Sequence, residues 1–84
     1  MIELLYFAWV RERIGRDGER LALPDGVGTA AQLLDWLERR GPHYAAALAE
    51  RDRLRIAVNQ AFAPLDAPVK PGDEVAIFPP VTGG

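Results

Sequence analysis

The final residues, Phe78-Pro79-Pro80-Val81-Thr82-Gly83-Gly84, are the part of this 84-residue chain whose types and spacing best suit chemistry. Two consecutive prolines keep a segment extended and stiff, so they aim the last four residues away from the body of the protein. Val81 and Thr82 are β-branched and favour continued extension. Gly83 and Gly84 have no side chains, and such backbone can thread a slot too narrow for any other residue. A tail built this way makes sense if its end is used, and the group at its end is the α-carboxylate of Gly84. A carboxylate is a poor electrophile, but conversion by ATP to a mixed anhydride with adenylate supplies a good leaving group. Attack by a sulfur donor then yields a thiocarboxylate, and attack by an amine yields an amide. A frayed terminus that happens to end in two glycines is the chemically silent alternative. The rigid apolar lead weighs toward use.

The rest of the inventory offers little competition. There is no cysteine and no serine, only two threonines and one histidine. Disulfides, thiolate metal sites and cysteine or serine nucleophiles are therefore excluded together. Gly26-x-Gly28 precedes a helix but lacks the third glycine of a dinucleotide fingerprint, and no phosphate-binding loop pattern occurs. His43 has no acid at ligand spacing and reads as a capping or surface residue, Asp73 as a turn aspartate, and Trp36 as a core-edge residue. Ten basic residues stand against twelve acidic ones, interleaved as in Arg11-Glu12-Arg13, for a net charge of −2. No basic stripe results, so nucleic acid is not an expected partner. The apolar run from Leu4 to Val10 is far shorter than a membrane span. A cytoplasmic protein, with neither membrane nor metal, is expected.

The elements that would carry the tail can be read from periodicity. Ile2 to Val10 is rich in β-branched and aromatic residues and apolar on both alternating faces, with Ile2, Leu4, Tyr6, Ala8 and Val10 on one side and Leu5, Phe7 and Trp9 on the other. That pattern predicts a central strand covered twice. Arg11 to Gly15 suits a short helical turn, and Glu19 to Leu23 a second strand. Thr29 and Gln32 form a capping box ahead of Ala30, Leu33, Leu34 and Leu37, whose spacing predicts an amphipathic helix ending at Gly41-Pro42. A short Ala-rich helix is expected over Tyr44 to Arg51. Leu54 to Val58 predicts a strand, Asn59-Gln60 a turn, the region of Phe62 a short strand, and Glu74 to Phe78 a last strand stopped by Pro79-Pro80. This order suggests an α+β fold of the ubiquitin-like β-grasp type: a mixed sheet of about five strands curled over one main helix, with the first and last strands parallel neighbours. Residues 1–78 would form the domain and residues 79–84 an extended tail.

Three stretches carry a resemblance to a known family: Leu5-Tyr6-Phe7-Ala8 leading into Val10-Arg11-Glu12; Ala57-Val58-Asn59-Gln60; and Gly72 through Gly84. The chain resembles the MoaD-like small subunits of molybdopterin synthase, sulfur carriers of the ubiquitin-like superfamily, over essentially its whole length. Residues 16 to 28 contribute little to the likeness. The resemblance implies a carrier rather than a self-sufficient enzyme, with no bound cofactor. An ATP-dependent activating enzyme would adenylate Gly84, which is then sulfurated to a thiocarboxylate. The tail, from Pro80 through Val81, Thr82 and Gly83, would thread into the active site of the large synthase subunit. There it would donate sulfur to cyclic pyranopterin monophosphate, building the dithiolene that holds molybdenum. Two small and two large subunits would form the assembly, with the catalytic side chains on the large ones.

The resemblance also maps an apolar docking surface onto Phe7, Phe62 and Phe78, and a partner-contacting position onto Arg11. Phe62 departs from the family, which often has leucine there, but keeps the apolar character. Core packing is the structural alternative for Phe7 and Phe78. Rival functions are a sulfur carrier for thiamine thiazole or tRNA thiolation, a ubiquitin-like protein modifier, and a plain interaction module whose tail has no chemistry.

Overall fold

The protein is described by a computed structural model covering residues 1–80; Val81, Thr82, Gly83 and Gly84 lie outside the described residues. The first strand, β1 (Ile2–Tyr6), is shorter than the apolar run predicts, because the chain turns at Phe7 and enters helix α1 (Ala8–Ile14). Ala8 occupies the left-handed region at φ 53°, which breaks the strand. Val10 and Ile14, four residues apart, then face the core as helical neighbours. Gly15 closes α1 in the left-handed conformation at φ 93°, with its N–H bonded to the Arg11 carbonyl. Ala8, Trp9 and Val10 are therefore not strand residues. The signal for the helix was the Val10–Ile14 spacing followed by glycine, hidden beneath strand-forming residue types.

Strand β2 (Gly18–Leu21) pairs antiparallel with β1, two residues shorter at its far end than expected. A Cβ on Gly18 would lie 2.7 Å from the Leu4 carbonyl oxygen, so this close crossing admits only glycine. Helix α2 (Ala30–Glu38) carries the complete capping box: Gln32 N–H donates to Thr29 Oγ1, while Gln32 Oε1 accepts from Thr29 N–H. Its Ala30, Leu33, Leu34 and Leu37 are all fully buried. Each such leucine contributes roughly 1.5–3 kcal/mol of apolar burial. Gly41-Pro42 does more than end α2, since Pro42 occupies the first turn of α3 (Pro42–Leu48), where its missing N–H costs nothing. A single 3₁₀ turn, Arg51–Arg53, comes where the expected helix would have continued.

Strands β3 (Arg55–Val58), β4 (Ala61–Ala63) and β5 (Glu74–Phe78) complete a five-stranded sheet in the order β2-β1-β5-β3-β4. The β1–β5 pair is parallel, as the crossover through α2 requires, and every other pair is antiparallel. Ile2, Leu4, Tyr6, Ile56, Val75 and Ile77 point to one side and form one buried cluster with the apolar residues of all three helices. The alternate positions point the other way, and no helix of the described residues covers them. The expectation of a strand covered on both faces is thus overturned: α1 consumed the residues that implied a second apolar layer.

A carboxylate lies at the edge of this core. The Glu19 carboxylate, with its side chain 7% exposed, accepts from the hydroxyls of Tyr6 (2.8 Å) and Tyr44 (2.7 Å) on one oxygen and from Arg16 (3.0 Å) on the other. It ties β1, β2 and α3 together. Burial first, and then the bond to Glu19, push both tyrosine hydroxyls above their ordinary range. Glu19→Ala leaves the fully buried Tyr6 hydroxyl without its acceptor and is expected to cost about 1–3 kcal/mol in denaturant unfolding. Tyr6→Phe, which leaves Glu19 two other partners, should cost less, about 1 kcal/mol. A larger loss from the phenylalanine variant would contradict this assignment.

Candidate functional site

The open sheet face has a definite polarity. Register alignment places Gly18, Leu5, Ala76, Ala57 and Phe62 in one row across all five strands. Toward the starts of β1 and β5 this row is flanked by Arg20, Glu3 and Glu74, which are adjacent in register. Toward the end where β5 delivers Pro79 and Pro80, it is flanked by Phe78, with Arg55 opposite it on β3. The face is therefore charged at one end, small and apolar in the middle, and aromatic where the tail departs.

All three phenylalanines of the chain gather around that aromatic end. Phe62 is 82% exposed, and its ring centroid lies 5.9 Å from that of Phe78, tilted by 50°. The two line a shallow groove of about 440 Å³ with Arg55, Ile56, Ala63 and Pro64. Phe7 is 46% exposed, and its backbone N–H donates to the Ile77 carbonyl at 3.2 Å, so it sits beside the end of β5 on the side away from Phe62. None of the three belongs to the buried cluster. Core packing is thus set aside for Phe7 and Phe78. An exposed phenylalanine packed against a half-buried one beside a tail is an unusual use of apolar surface in a small domain and marks a surface suited to being covered.

Arg11 falls within the helical turn expected over Arg11 to Gly15. It lies one turn into α1, exposed, with its N–H bonded to the Phe7 carbonyl. Pro80 is the last described residue of the tail, and the remaining tail positions, Val81 to Gly84, fall outside the described residues. Among the described residues no three histidine, aspartate or glutamate side chains gather where they could hold a metal ion, and no helix is long and apolar enough to cross a membrane.

A clasp holds the two aromatic strands in register. Asn59 and Gln60 both take positive φ, 51° and 70°, making the tight turn from β3 to β4 that presents Phe62 two residues later. Asn59 then bonds to the start of β5 by three routes. Its N–H donates to the Glu74 carbonyl (2.8 Å), its Oδ1 accepts from Glu74 N–H (3.0 Å), and its Nδ2 donates to Asp73 Oδ1 (3.0 Å). Asp73, 6% exposed, also accepts from Lys70 N–H at 2.9 Å. The Asn59 amide, with the Lys70 N–H, holds the Asp73 carboxyl below the usual carboxylate range although burial opposes it. The turn aspartate of the sequence is thus a buried anchor, and the Val-Asn-Gln stretch is the other half of it.

Because the folded state lowers this pKa, the contribution is present above the unfolded value of about 4 and disappears as pH falls through the folded value. Thermal unfolding followed downward from pH 5 should show a stability loss that Asp73→Asn flattens. An unchanged acid profile in that variant would refute the clasp as its source.

The family model described as the ThiS family matches residues 4–84. Over 84 residues, covering 100% of both chains, the sequence is 45% identical to the molybdopterin synthase sulfur carrier subunit of Haemophilus influenzae. It is 43% identical to the same subunit of Escherichia coli over 84 residues, again covering 100% of both chains. Among solved structures, SAMP1 of Haloferax volcanii superposes with a TM-score of 0.74 at 32% identity, covering 99% of this chain and 98% of that one.

Proposed function

From the premise that this chain belongs to the ThiS family, we propose that it is a molybdopterin synthase sulfur carrier subunit acting in the cytoplasm. The observation that supports this most is the conjunction of two features. The exposed Phe62 and the half-buried Phe78 pair where β5 hands over to Pro79 and Pro80, and the chain continues from there as Val81-Thr82-Gly83-Gly84. A docking surface and the point from which the tail departs then share one end of the described residues.

In this reading an activating enzyme uses ATP to adenylate the Gly84 carboxylate. A sulfide-level donor then attacks the carbonyl carbon, the bond to AMP breaks and a proton is lost, leaving the thiocarboxylate. The carrier next lays its open face, with Phe7, Phe62 and Phe78, against the large synthase subunit. Pro80, Val81, Thr82 and Gly83 lead the terminus into that partner's active site. There the thiocarboxylate transfers sulfur to cyclic pyranopterin monophosphate, and the catalytic side chains are the partner's. Arg11, exposed on α1 with its N–H bonded to the Phe7 carbonyl, is a further candidate contact for the partner.

Two experiments test this. After incubation with ATP, a sulfur source and the activating enzyme, the terminal peptide should gain about 16 Da, localised to Gly84 by fragmentation because oxidation of Met1 adds nearly the same mass. No gain with an active enzyme would favour amide conjugation or a plain interaction module. Phe62→Arg and Phe78→Arg should each raise the Kd for the large subunit by roughly a hundredfold, as loss of an aromatic anchor does. Unfolding should be unchanged, since both lie outside the core. Unaltered affinity in both variants would remove the docking assignment.

A further inference from the structure

We infer that Arg55 determines partner specificity on this face by taking a carboxylate of the large subunit beside the Phe62–Phe78 pair; the inference rests on the proposed carrier function. Arg55 lies opposite Phe78 in the β3–β5 register, at the aromatic end of the open face, and is exposed. Ile56, Phe62, Ala63, Pro64 and Phe78 line an apolar groove with it on one side, while Arg51 and Asp52 adjoin it on the other.

The guanidinium is held rather than free. Its Nη1 donates to the carbonyl oxygens of Leu54 (2.8 Å) and Asp52 (3.3 Å), at the exit of the 3₁₀ turn. Neighbouring arginines are committed to acids of the chain itself: Arg51 to Asp35 and Glu38, and Arg53 to Glu50. Arg55 forms no such pair among the described residues, so its Nε and Nη2 donors remain for an outside acceptor. Asp52 offers it only a backbone carbonyl.

A partner that covers the groove strips water from this guanidinium. A charge so desolvated is costly unless it is paired, so a partner that binds tightly has to supply an anion. The planar fork suits a carboxylate, and because the two carbonyls already restrain the side chain, less freedom is lost on pairing. A partner with an apolar or basic group at this point would be rejected. The same surface thereby attracts one docking partner and discriminates against others.

The test is the affinity of the full-length chain for the large subunit, measured for wild type, Arg55→Leu and Arg55→Lys at low and high salt. Arg55→Leu should raise the Kd roughly tenfold or more at about 0.05 M salt, and the gap should narrow at about 0.5 M. Arg55→Lys, which keeps the charge but not the fork, should recover only part of the loss. A leucine variant that binds as tightly as wild type, or loses the same factor at both salts, overturns the inference. So does an Arg55 effect that vanishes when Gly83 and Gly84 are removed, because the carboxylate would then be the chain's own. Should Arg55→Leu fail to fold, a wild-type affinity indifferent to salt overturns it equally. Wild-type chain that does not bind the large subunit overturns the carrier function itself, and this inference with it.

Discussion

The parallel pairing of β1 with β5 is the constraint on which the rest of this molecule depends. Two strands at opposite ends of a short chain can lie parallel only if the segment between them crosses from one end of the sheet to the other. That crossing is supplied by α2, with its four buried residues and its capping box, and by α3 packed against it. Once β1 and β5 are neighbours, β2 and β3 can only add on the outside, and β4 joins β3 through a two-residue turn. The last strand therefore runs through the middle of the sheet rather than along an edge, and the end of the chain leaves from a well-held place.

A domain of this size builds one core, and here it lies on one side of the sheet. The other face is free of structural duty and can specialise. Its gradient from Glu3, Glu74 and Arg20 to Phe62 and Phe78 arises from strand alternation, since each outward side chain is chosen independently of the inward one beside it. The Asn59–Asp73 clasp contributes nothing to recognition directly, but it joins the turn that presents Phe62 to the strand that presents Phe78. Two backbone conformations that favour asparagine or glycine, at Asn59 and Gln60, are tolerated in return.

Much of this was legible in the residues. The α2 helix declared itself through Thr29, Gln32 and the leucine spacing, and β5 was bounded by the Gly72-Asp73 turn and Pro79-Pro80, which act locally. The parallel pairing of first and last strands could be read from element order. What was not legible came from competition between levels. Ala8, Trp9 and Val10 are good strand residues individually, and only burial of Val10 with Ile14 makes them helical. Glu19 meets Tyr6 and Tyr44 from 13 and 25 residues away, so no local pattern announces it. Arg55 falls within the strand expected over Leu54 to Val58, and its distinction is that its neighbours in space, not in sequence, include two phenylalanines. The helical turn expected over Arg11 to Gly15 is the second half of α1, and only its first residues, Ala8 to Val10, were hidden in the apolar run.

The central position of β5 also has a mechanical meaning. Tension applied along the tail runs parallel to β5, which is bonded to β1 on one side and to β3 on the other. The load is shared by both ladders in shear, whereas an edge strand under the same pull could be peeled away one bond at a time. In the proposed delivery of its terminus to a partner, the chain would be held by a strand that is bonded on both sides.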